Sequence, residues 1–139
     1  TLHQIGIPGC GSLESALPEE AVHQLVRDTG RQLEDQAEES WLWHRRRVRV
    51  VDGSTITMPD TEANQAAYPQ PTSQKPGCGF PIARIVVIFS LSVGTALEAA
   101  IGTYKGKRTG ENSLFRTLYD VLTEGDVVLG DRGFSGGEP

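Results

Sequence analysis

Arg46-Arg47-Val48-Arg49-Val50-Val51-Asp52 is the stretch on which the fold turns. Its β-branched content predicts a strand, because branched side chains pack well on a pleated surface. In that strand Val48, Val50 and Asp52 share one face, while Arg47 and Arg49 point the other way. Gly53 then allows a bend, and Ser54-Thr55-Ile56-Thr57 starts a return. Asp126-Val127-Val128-Leu129-Gly130-Asp131 has the same design. It reads as a short buried strand in which Val127, Leu129 and Asp131 share a face, with a glycine turn at Gly133. Each strand therefore sets an aspartate where its apolar stripe ends. Aspartate is a poor strand former, and its charge is costly to hold beside buried apolar surface without a partner.

Between these two strands the pattern alternates in type. Residues 69–81 hold four Pro and two Gly and read as a loop. Ile82 to Val93 is strongly β-branched, and Gly94-Thr95 forms a hairpin-like turn into residues 96–104. Residues 105–110 (Lys-Gly-Lys-Arg-Thr-Gly) make a basic connection. Glu111 to Glu124 predicts an amphipathic helix with Leu114, Phe115, Leu118, Val121 and Leu122 on one stripe, Thr109 as cap and Gly125 as stop. Upstream, residues 18–39 read as helical, with Leu17, Ala21, Val22, Leu25 and Val26 at three-to-four spacing and Gly30 breaking the segment into two helices. Trp41 and Trp43 fall on one face if the chain is extended there, with packing as their expected role. The order is helices, then β-β-β-α-β: an α/β chain.

Length and charge bound the rest. One domain, or one domain with an appendage, fits 139 residues and 15.1 kDa. Residues 1–40 carry eight acids against Arg27 and Arg31, net −6, and residues 41–139 carry ten acids against eleven bases, net +1. That asymmetry predicts a helical segment over 1–43 and a separate unit over 44–139. The longest apolar stretch falls short of the ~20 residues a membrane helix needs. Cys10 and Cys78 cannot build a disulfide framework or a four-ligand zinc site. The chain starts at Thr1 with no leader, which predicts an intracellular fragment of something longer.

The chemistry rests on the two aspartates. If their strands run side by side and parallel, the backbones lie about 4.8 Å apart and the carboxylates face each other. Two anions so placed repel unless a cation or proton lies between them. Mg²⁺ (or Mn²⁺) answers that need, because it takes oxygen ligands and is held by one or two carboxylates plus phosphate and water. Such a site suits phosphoryl transfer. The bland reading of Asp52 and Asp131 is that each caps a turn before glycine. A haloacid-dehalogenase site needs a nucleophilic aspartate where Val50 stands, and no phosphate-cradling Gly-Lys-Ser/Thr loop exists. His3, His23 and His44 are too scattered for a metal site. Arg45, Arg46, Arg47 and Arg49, with Lys105, Lys107 and Arg108, are candidate contacts for a phosphate backbone, against the plainer role of solvated charge. Arg132 sits beside Asp131 and suits a phosphate oxygen.

Val51-Asp52-Gly-Ser-Thr-Ile-Thr-Met-Pro-Asp60-Thr-Glu-Ala-Asn64-Gln resembles the first-aspartate block of bacterial DDE-type insertion-sequence transposases, more narrowly the insertion-sequence-four group. The resemblance continues through Tyr68-Pro-Gln-Pro, Gly79-Phe-Pro-Ile-Ala-Arg84, Tyr104-Lys-Gly-Lys, Gly110-Glu-Asn and Gly125-Asp-Val-Val-Leu-Gly-Asp131-Arg-Gly-Phe134, covering about residues 41–135. It implies an RNase H-like mixed sheet, incomplete at its C-terminus. By the same resemblance Asp52 and Asp131 are the first two catalytic acids and bind divalent ions that drive strand cleavage and 3′-hydroxyl attack. It also implies DNA as partner (transposon ends and target), a homodimer in the full-length protein, and a bacterial cytoplasmic location. The family's third acid is a Glu in a later Tyr-Arg-Glu-Lys type block that this sequence lacks; Glu138 does not take that role. The expectation is a transposase core that is inactive as this fragment. The rival readings are a metal-dependent nuclease of the same fold and a non-catalytic DNA-binding remnant.

Overall fold

The expected β-branched strand runs from Val48 to Thr57 (β1), without a bend at Gly53. The computed structural model describes residues 18–73, 75, 77–106, 109–131 and 134. Gly53 has a different job. A Cβ there would stand 2.7 Å from Cδ of Glu111, so the missing side chain lets the Glu111 carboxyl lie against the strand. Asp52 is accordingly mid-strand, with five residues of β1 beyond it.

Ile82–Ser90 (β2) pairs antiparallel with β1, Asp52 opposite Val87 and Thr55 opposite Arg84. Thr95–Thr103 (β3) pairs antiparallel with β2 through a tight turn in which Gly94 has φ +66°. Val127–Leu129 (β4) pairs parallel with β1. The sheet order is β3-β2-β1-β4, a four-stranded mixed sheet in an α/β chain. A short helix, Glu62–Ala67 (α2), follows β1 and was not expected; Thr61 caps it, its hydroxyl accepting from the Asn64 N–H at 3.1 Å. The 69–81 loop is tied by amide side chains: Gln70 accepts from the Gly79 N–H and donates to the Lys75 carbonyl, and Gln65 donates to the Gly79 carbonyl.

The expected helix 111–124 is helical only over Glu111–Arg116 (α3) and continues as a turn and a 3-10 turn at Tyr119–Val121. Thr117 donates its hydroxyl to the Leu114 carbonyl at 2.6 Å, a local bond that competes with helix propagation. Gly110, not Thr109, is the N-cap; the Thr109 hydroxyl donates to Gly106 instead. The stripe is nonetheless buried. Leu114, Phe115 and Leu118 pack with Val51, Val86, Ile88 and Leu97 in the core, and Val121, Leu122 and Phe134 flank them. Gly102 lets α3 approach, since a Cβ there would meet Leu114 at 2.9 Å.

Residues Glu19–Asp35 form one unbroken helix (α1), so Gly30 does not divide it. Gly30 is buried, and a Cβ on it would meet Leu97 at 2.8 Å and the Ala96 carbonyl at 3.2 Å. The stripe that α1 turns to the sheet is His23, Arg27, Gly30 and Glu34, whereas Val22 and Leu25 of the expected apolar stripe are 47% and 66% exposed. The tryptophans also depart from expectation. Trp41 closes a 3-10 turn, and Trp43 pairs with Arg46 across a tight turn whose central residues, His44 and Arg45, have φ +49° and +64°. Both indoles are more than half exposed, so neither is a core residue. Among the described residues no helix is long and apolar enough to cross a membrane.

Candidate functional site

The parallel pairing of β1 with β4 puts the two aspartates at matching positions in the register. Val48 pairs with Val127, Arg49 with Val128 and Val50 with Leu129. That offset of 79 residues (127 − 48) is also the offset between Asp52 and Asp131 (131 − 52). Each aspartate stands two residues beyond the last pair, Asp52 still within β1 and Asp131 past the end of β4. Both are exposed. One oxygen of Asp52 accepts from the Gly53 N–H at 2.9 Å, which orients the carboxylate and leaves its second oxygen for another partner. Asp131 opens the turn that follows β4, its carbonyl accepting from the Phe134 N–H.

Two solvent-exposed carboxylates, one on β1 and one just past the end of β4, are the kind of hard oxygen donors that a divalent cation takes. Among the described residues no group of three or more His, Cys, Asp or Glu side chains converges. Glu138 lies outside the described residues.

The cationic candidates do not cluster around the aspartates. Arg45 and Arg46 belong to the tight turn before β1, about 13 Å or more back along the strand from Asp52. The turn opens on a shallow cleft shared with residues 123–126, whose Glu124 and Asp126 offset its positive charge. Arg45 pairs with Glu39 at 2.5 Å, and Arg47, half-exposed, lies 4.0 Å from Glu34. Arg49 must be withdrawn as a DNA contact. It is 2% exposed, donates to Asp126 at 2.8 Å and forms a second ion pair with Glu34, so its guanidinium is committed inside the protein. Lys105 is exposed at the opposite end of the sheet, its Nζ donating to the Thr72 hydroxyl at 2.7 Å. Lys107, Arg108 and Arg132 lie outside the described residues.

Two features escaped the sequence reading. One is Glu98 on β3, 1% exposed and clasped by His23, Arg27 and the Ala99 N–H. The other is Arg84, half-buried on β2, whose only signal in the sequence is a cation inside an apolar strand. Comparison with protein-family models, with curated proteins and with solved structures finds no match to this chain in any of the three.

Proposed function

We propose that this chain carries the first two acids of a DDE-type transposase core, an RNase H-like unit that performs metal-dependent phosphoryl transfer on DNA. The observation that supports this most is the register: two aspartates 79 residues apart each follow the last β1–β4 pair by two residues. An acid that merely capped a turn has no reason to match a second one in this way. The strand order β3-β2-β1-β4, with the first two pairings antiparallel and the last parallel, is compatible with the same reading.

In this reading Asp52 and Asp131 are the ligands of Mg²⁺ or Mn²⁺. When bound, the ion lowers the pKa of an attacking hydroxyl or water and neutralises charge on the leaving oxygen. The Gly53 N–H holds one Asp52 oxygen, so the carboxylate meets its ligand already oriented. The described cations lie away from this pair and act on flanking phosphates, positioning the duplex without reading its bases. DNA ends and target DNA are the partners, the full-length protein acts as a dimer, and the setting is the bacterial cytoplasm.

Two convergent carboxylates predict weak ion binding and no strand transfer. In a Mn²⁺ titration followed by electron paramagnetic resonance, the chain is expected to bind with a Kd of about 1 mM, the weak end of carboxylate sites. Asp52→Asn and Asp131→Asn should each weaken binding at least about fivefold, and a strand-joining assay on the 139-residue chain should stay blank. Wild-type Mn²⁺ binding that survives both substitutions overturns the reading, and joined products overturn the expected inactivity.

A further inference from the structure

Arg84 is the arginine whose surroundings ask for an anion. It sits on β2 between Thr55 of β1 and Gly102 of β3. Its Nε is buried and has no hydrogen-bond partner. The other described arginines drawn in from solvent each have a carboxylate: Arg27 has Glu98, Arg47 has Glu34, and Arg49 has Glu34 and Asp126. No ion pair to Arg84 is present among the described residues. What holds its guanidinium is the ring of Tyr104, whose centroid lies 5.4 Å from Cζ. That contact fixes the plane of the fork without using any of its N–H groups. The Glu111 carboxyl is packed against Gly53, two residue pairs along the sheet on the same face, and Lys105 follows Tyr104 with its amine on Thr72. The neighbourhood therefore holds an arginine packed on an aromatic ring without an ion pair among the described residues, and a second cation.

We propose that Arg84 is a phosphate-binding residue, its two terminal nitrogens gripping two oxygens of one phosphodiester of bound DNA. Arginine matches phosphate oxygens in this bidentate way, and with Nε buried the terminal nitrogens are the donors that a ligand can meet. Thr55, opposite Arg84, is three residues on from Asp52, about 10 Å along β1. Because that offset is odd, Arg84 lies on the opposite face of the sheet from Asp52, on the side that α3 covers, so the phosphate it holds is not one at the aspartates, and Arg84 is a positioning residue. The inference rests on the DNA reading above.

The test uses the full chain, a fluorescein-labelled duplex of about 20 bp read by anisotropy at several NaCl concentrations, and inorganic phosphate as a second probe. Arg84→Met keeps an aliphatic stem against Tyr104 and removes the fork. It is expected to weaken duplex binding about three- to tenfold and to lower the salt slope by about one phosphate contact, with Tm unchanged or higher because a buried unpaired donor is gone. Arg84→Lys should keep the slope while losing part of the affinity. Inorganic phosphate should shift the Arg84 Nε–H resonance saturably. Duplex binding by Arg84→Met with wild-type affinity and slope, or a loss that follows a fallen Tm, overturns the inference. A chain that ignores duplex DNA but shows the phosphate shift keeps the anion site and refutes the DNA reading instead.

Discussion

Gly30 and Gly53 show how differently two glycines can be needed. At Gly30 a new Cβ would stand 2.8 Å from the Leu97 side chain and 3.2 Å from the Ala96 carbonyl, and a strand backbone cannot retreat. Alanine gains up to about 1 kcal/mol of helix propensity there, but overpacking against the sheet costs about 1–3 kcal/mol. Gly30→Ala is therefore expected to lower stability by about 1 kcal/mol in urea unfolding. Gly53→Ala meets only the Glu111 side chain, which can swing away, so its effect should be less than half as large. Equal effects would show that α1 does not lie on β3 as described. The sequence carried no sign of either contact, and it marked both glycines as breaks. Arg49 teaches the same lesson about charge. Its strand and its face were legible, but its partners Glu34 and Asp126 lie 15 and 77 residues away, and only the fold makes that face an interior.

At the level of elements, α1 inverts the usual rule for an amphipathic helix. Apolar periodicity pointed to Val22 and Leu25, yet the helix docks through His23, Arg27, Gly30 and Glu34 because the sheet offers it Glu98 and Arg49. Hydropathy cannot reveal this, since charged residues at helical spacing read as a solvated face. The strands were easier, because β-branching and turn glycines are local signals, and three of the four strands sit where they were expected. The docking of α1 should depend on pH. The hydrogen bond to Glu98 raises His23 above 6.5, against the lowering effect of burial. Burial raises Glu98, but bonds from His23, the Ala99 N–H and Arg27 outweigh it and leave the carboxyl below 4.5. The His23 contribution is complete below 6.5 and fades as pH rises through its raised value; that of Glu98 is complete above 4.5 and fades as pH falls through its lowered value. Amide exchange in α1 should thus be slowest between about pH 5 and 6 after correction for intrinsic rates, and faster opening should appear as pH rises above the ordinary histidine range. His23→Gln should abolish the alkaline change and leave the acid one. An α1 whose protection is flat across that range in the wild type would mean that this clasp does not hold the helix.

Over the whole molecule, the parallel pairing of β1 with β4 gives Asp52 and Asp131 matching positions in the register, and the proposed ion is what would join them. Each aspartate was legible at the end of an apolar stripe, and the parallel pairing of their strands is what the structure adds. That β1 runs on to Thr57, making Asp52 a mid-strand residue, was not legible, because Gly53 looks the same in a bend as under a packed carboxyl. A ligand that binds only the folded state stabilises it by RT ln(1 + [L]/Kd), about 1.4 kcal/mol at ten times Kd, which for a domain of this size is about 5 °C. Scanning calorimetry with Mg²⁺ at that excess should show the rise for the wild type and lose it in Asp52→Asn and in Asp131→Asn alike, while Glu111→Gln, whose carboxyl faces Gly53, keeps it. A rise that persists in either aspartate variant would place the ion elsewhere, and the register of β1 and β4 would then have no chemical consequence.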